Sequence, residues 1–148
     1  VAHCYGCGRL NKHGLQIKSY WDGEEAVCSF VPKPYHTAVP GAVYGGLIAS
    51  LIDCHSTGTA AAAVYRAEGR PMETEPPLRF VTGSLHVDYV KLTPIEGPLE
   101  LRARVKEIKD RKVVIVTDLS VQGQVCARGE VVAVRVSEEM WKKLLMTA

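Results

Sequence analysis

Apolar and polar positions alternate along much of this chain, but residues 40–65 break the pattern, being mostly apolar and small residues in one run. That stretch is rich in Ala and Leu and has no Pro after Pro40, so it is predicted to be a helix. At about 100° per residue its apolar side chains cover nearly the whole circumference. Leu47, Leu51, Cys54 and Ala62 fall on one side and Ala49, Ala60 and Val64 on the other, which predicts a helix buried all round. Asp53 is its only formally charged side chain, and a carboxylate there is costly unless paired or put to use.

The period-two segments flank this helix. Residues 15–21 and 25–31 read as two strands joined at Asp22-Gly23, a strong turn signal. Pro32, Pro34 and Pro40 keep the chain extended up to the helix start. After the helix, residues 66–77 are polar and carry Gly69, Pro71, Pro76 and Pro77, which predicts a surface loop. Four strands follow over 78–90, 99–109, 112–121 and 124–136, and a short amphipathic helix over 137–146 has Ser137 as its cap. Two strands, a buried helix and a run of antiparallel strands make an α+β plan in which one antiparallel sheet wraps one helix.

With 148 residues, 47% of them hydrophobic, the chain has the size of one domain, spanning 1–148. Its apolar runs look too short for a membrane span, and Val-Ala-His-Cys has no basic-then-apolar leader pattern, so a cytoplasmic location without membrane attachment is expected. Five scattered cysteines do not resemble a disulfide framework and fit a reducing compartment. Lys and Arg interleave with Asp and Glu at a net charge of +2, leaving no basic stripe for nucleic acid.

The chemistry concentrates around Asp53. It shares a helix face with Gly46, Ala49, Ser50, Ser56, Thr57 and Ala60, residues small enough to leave room for a ligand. Gly45 and Gly46 open the helix, where the first amides lack intrahelical partners and can stabilise an oxyanion. Cys54-His55 is no nucleophile pair, since adjacent helical residues point about 100° apart, and there is no Gly-x-Ser-x-Gly elbow. Cys4-x-x-Cys7, with His3 and His13 nearby, supplies half of a metal or redox site; without a second ligand pair no metal or other cofactor is expected.

The run Pro40-Gly41-Ala42-Val43-Tyr44-Gly45-Gly46 leading to Leu51-Ile52-Asp53 resembles the hotdog-fold acyl-CoA thioesterases, in particular their phenylacetate-pathway-like branch. The opening Cys4-Tyr5-Gly6-Cys7-Gly8 with His13-Gly14-Leu15, His36 ahead of the Pro-Gly, and Val81 to Tyr89 after the helix match as well. The resemblance implies hydrolysis of an acyl-CoA, with Asp53 as base or nucleophile, Gly45 as oxyanion donor and Thr82 near the carboxylate. Tyr44, Gly46, His36 and Ser84 are then substrate-binding positions. On strand alternation Thr82 would share a face with Ser84, His86 and Asp88, unless a bulge at Gly83 re-aims the side chains beyond it. Tyr44 stands where the family usually carries His, and is expected to orient the substrate or Gly45. Gly45 and Asp53 are eight residues apart, about 12 Å along a helix, too far to serve one carbonyl. Sites shared between two chains, in a homodimer or dimer of dimers, are therefore expected. Two rivals stand beside this reading: a non-catalytic acyl-CoA binding or regulatory module, and a zinc or thiol-switch protein built on Cys4 and Cys7.

Overall fold

The computed structural model describes residues 2–147. Its strands are β1 (Tyr20–Asp22), β2 (Glu25–Phe30), β3 (Phe80–Tyr89), β4 (Leu99–Lys109), β5 (Lys112–Val121) and β6 (Gln124–Arg135), and its helices are α1 (Gly45–Ala67) and α2 (Glu138–Met146). All strands pair antiparallel in one sheet ordered β1-β2-β4-β5-β6-β3, so β1 and β3 form its edges. The sheet curves around α1 as a hotdog-like fold.

Apolar positions on one face of each central strand meet one face of α1. Leu47, Ile48, Leu51 and Ile52 pack on Leu99, Leu101, Leu119, Ala127 and Val131, while Ala60, Val64 and Tyr65 pack on Phe80, Val113, Ile115 and Ala133. Gly129 lets α1 approach closely, because a Cβ there would overlap the Ile52 side chain.

Two expectations about α1 change. Only its sheet-facing side is buried; Gly46, Ala49, Ser50, Asp53, Thr57 and Ala61 are half-exposed on the opposite side. Ser56 and Ala60 leave the Asp53 face for the core, where the Ser56 hydroxyl lies 2.8 Å from that of Thr117. Contrary to the sequence reading, α1 is also long and apolar enough to cross a membrane by length and composition; its character is that of a core helix packed on a sheet.

The first strand is shorter than alternation suggests. Gln16 takes a positive φ of 55°, and the Leu15 and Ile17 amides bond to Tyr5 and Gly6 carbonyls, so residues 15–17 belong to the opening loop. After α1, the Arg70 guanidinium holds the surface loop by donating to the Thr74 and Pro76 carbonyls at 2.8 and 2.6 Å. Ser137 caps α2 as expected, accepting from the Met140 amide at 3.2 Å.

His55 is wholly buried, bonded to β2 and to the residue just before β1. Its Nε2–H donates to the Ala26 carbonyl at 3.1 Å, and its Nδ1 accepts from the Ser19 hydroxyl at 2.6 Å, so the neutral ring is satisfied on both sides. Burial pushes its pKa from 6.5 down to about 4. The unfolded chain therefore takes up this proton first as the pH falls. The stability owed to His55 is intact above pH 6.5 and declines by about 1.4 kcal/mol per pH unit down to about pH 4. Urea unfolding at pH 7 and pH 4 should show a loss that His55→Gln reduces by about 3 kcal/mol; equal losses in the two proteins would exclude His55 as the source.

Candidate functional site

The start of α1 is built to leave donors free. Tyr44 precedes it in an extended conformation with no side-chain cap, and among the described residues the Gly45 and Gly46 amides have no hydrogen-bond partner. The Tyr44 amide donates to the His36 carbonyl at 2.9 Å, and the Tyr89 hydroxyl donates to the Gly45 carbonyl at 2.8 Å. One backbone bond and one phenol therefore fix the direction in which the first amides point.

Tyr44 is exposed and its ring lies over Gly46, in space that any side chain at 46 would fill. His36 braces the helix start through its backbone, while its Nδ1 accepts from the Lys33 amide at 3.0 Å. Its ring packs against Phe30 and Tyr35, and partial burial, then the Lys33 charge, lower its pKa, leaving the imidazole neutral near pH 7.

Asp53 lies about two turns along α1 on the half-exposed side. Its Oδ1 accepts from the Thr82 hydroxyl at 2.6 Å. With that proton committed, Thr82 Oγ1 accepts from the Thr57 hydroxyl at 3.2 Å, one helical turn beyond Asp53. Thr82 thus holds one carboxylate oxygen and is itself held by Thr57, and among the described residues Oδ2 makes no hydrogen bond.

Thr82 reaches Asp53 because β3 bulges. The register against β6 shifts between Thr82 and Ser84, so Thr82 pairs with Ala133, and Ser84 with Val132. Gly83 sits in the bulge, where a Cβ would come within 2.8 Å of Val134 Cγ2. Simple alternation is therefore corrected: Thr82 shares the helix-facing side with Leu85, Val87 and Tyr89, while Ser84, His86 and Asp88 face away. The structure brings Asp53, Thr82 and Thr57 together, gathers Gly45, Gly46, Tyr44 and Tyr89 at the helix start, and leaves Ser84 outside both groups. Thr57 and Tyr89 went unrecognised as site partners in the sequence. The signals for them were the i,i+4 spacing from Asp53 and, for Tyr89, the strand face that the bulge restores.

On the far side of the sheet an open groove of about 460 Å³ is lined by His86, Asp88, Arg104, Asp118, Arg128 and Glu130. Arg104 and Arg128 both pair with Asp118 there, at 3.7 and 3.4 Å, so its charges largely satisfy one another.

The Cys4-x-x-Cys7 loop packs against α1, where Cys54 brings a third thiol to the two that spacing revealed. His3 and His13 are exposed and stay outside this cluster.

A profile of the thioesterase superfamily matches residues 40–127, the stretch holding α1, Thr82 and Tyr89. A solved thioesterase superfamily protein from Shewanella loihica is 48% identical, covering 87% of this chain and 98% of its own length, with a TM-score of 0.70. A Haemophilus influenzae thioesterase superposes with a TM-score of 0.71 over 87% of both chains at 12% identity, a likeness of fold. The acyl-coenzyme A thioesterase THEM4 of Xenopus laevis is 36% identical over 87 residues, which are 59% of this chain and 33% of that protein. The chain thus aligns with about a third of the length of this curated relative.

Proposed function

The chain belongs to the thioesterase superfamily, and from that premise we propose that it hydrolyses an acyl-CoA thioester to the free acid and coenzyme A, in the manner of the phenylacetate-pathway-like branch. The observation that carries this reading is the state of Asp53: Oδ1 is pinned by Thr82 and, among the described residues, Oδ2 is left without a partner on a half-exposed helix face. A carboxylate so held is oriented for one task. Oδ2 takes a proton from a water, the water oxygen adds to the thioester carbonyl, and the tetrahedral oxyanion is met by the Gly45 and Gly46 amides of a helix N-terminus. Collapse of that intermediate breaks the carbon–sulfur bond and releases coenzyme A thiolate. Tyr89 and His36 act as positioning residues, setting the helix start through Gly45 and Tyr44. The ring of Tyr44 flanks the carbonyl site.

The site is completed by a second copy of the chain in a homodimer or dimer of dimers. Support comes from the small-residue side of α1, half-exposed around Asp53, and from edge strand β3, which leaves Val81, Leu85 and Tyr89 exposed. The five free thiols fit a reducing, cytoplasmic setting.

The test is a panel of short, long and aromatic acyl-CoAs assayed for thiol release. Turnover with at least one class is expected. Saturable binding without turnover across the panel would instead favour a regulatory acyl-CoA binding module.

A further inference from the structure

We propose that Cys4, Cys7 and Cys54 form a zinc-binding site that fastens the N-terminal loop to α1, independently of the reaction at Asp53. The thiol sulfurs of the three residues all lie within 4.8 Å of one another, with Cys4 and Cys54 Sγ 3.9 Å apart. Three thiolates at tetrahedral corners around zinc, each about 2.3 Å from the metal, sit about 3.8 Å from each other. A small contraction of the cluster reaches that geometry. A disulfide would use only two of the sulfurs and leave the convergence of the third without a purpose.

The loop is shaped to present these sulfurs. The Gly8 amide donates to the Cys4 carbonyl at 2.8 Å, closing the Cys-x-x-Cys-Gly turn. A Cβ at Gly8 would collide with the Cys4 backbone, and one at Gly6 with the Cys54 side chain, so both glycines permit close approach. Further bonds hold the turn in place: Leu15 and Ile17 amides to the Tyr5 and Gly6 carbonyls, and Gln16 Nε2 to the Gly8 carbonyl at 2.7 Å. Cys54 stands on a rigid helix, so the third donor is fixed as well.

Binding exchanges three thiol protons for one Zn²⁺, giving a tris-thiolate zinc of net charge −1. Three protein thiolates leave the fourth coordination position of the metal to a water. Soft thiolate donors favour zinc over magnesium or calcium.

The test uses the full chain, purified under reducing conditions from zinc-supplemented cells. Elemental analysis covering zinc, iron and copper is set beside Co²⁺ titration of the metal-free protein, followed by sulfur-to-cobalt charge-transfer absorption. About one zinc per chain is expected, falling to about none in Cys54→Ser and in Cys7→Ser, each of which also loses the charge-transfer band. Cys7 is at the surface, so its replacement leaves the fold intact, and circular dichroism checks this. Zinc-free wild type with reduced thiols and no cobalt band would overturn the site. So would zinc retained in Cys54→Ser, or wild-type chain two mass units light from a Cys4–Cys54 disulfide.

Discussion

Asp53→Asn should lower kcat on the best acyl-CoA by on the order of 10³-fold, about 4 kcal/mol of transition-state stabilisation, while the protein keeps its fold and assembly. The amide occupies the same volume, and its oxygen can still accept the Thr82 hydroxyl that now holds Oδ1. What the substitution removes is the basicity of the free oxygen. KM should change little, because the proposed reading gives the placing of the substrate to the helix start and its surroundings. Stopped-flow thiol release and a thermal melt of the same preparation separate the two effects. Turnover within a few-fold of wild type would take Asp53 out of the chemistry.

That expectation depends on a contact that strand alternation hides. Asp53 stood out in the sequence as a lone charge in an apolar run, and Gly45-Gly46 as the opening of the helix, because both signals are local to the chain. The helix, the order of the later strands and the cap at Ser137 were legible for the same reason. Thr82 was harder. One inserted residue at Gly83 reverses every side chain beyond it, and the period-two pattern gives no hint of which face wins until the β6 register is known. The shortening of β1 has a related cause: the Leu15 and Ile17 amides find partners in the opening loop, a competition between hydrogen bonds that hydrophobic pattern does not encode. The third thiol of the cysteine cluster lies 50 positions along the chain from Cys4, beyond the reach of any spacing rule.

The half-exposure of α1 has its own consequence. A helix with apolar and small residues on every side is covered on one side only, and the uncovered side carries the carboxylate. A second chain laid across that side would bring its own helix start towards Asp53, as the proposed mechanism calls for. Gly45 and Asp53 of one chain are separated by about 12 Å of helix, whereas an oxyanion donor and an attacking oxygen must both lie about 3 Å from one carbonyl.

Two inactive variants should therefore restore activity when combined. Asp53→Asn removes the base and leaves the helix start intact. Gly46→Val leaves the base and spoils the donors, since its side chain falls where the Tyr44 ring lies and must displace it. Each alone should be inactive, because every site in either homodimer carries a defect. In a mixed dimer related by a two-fold axis, one site combines both defects, and the other pairs the intact helix start of the first variant with the intact Asp53 of the second. Activity should return to about half the wild-type value per mixed dimer, or about a quarter for an equimolar refolded mixture in which chains pair at random. Mixed dimers are counted by tagging the two variants differently and isolating the doubly tagged species. If that species forms and stays inactive, donors and base act within one chain, and the two-chain site is wrong.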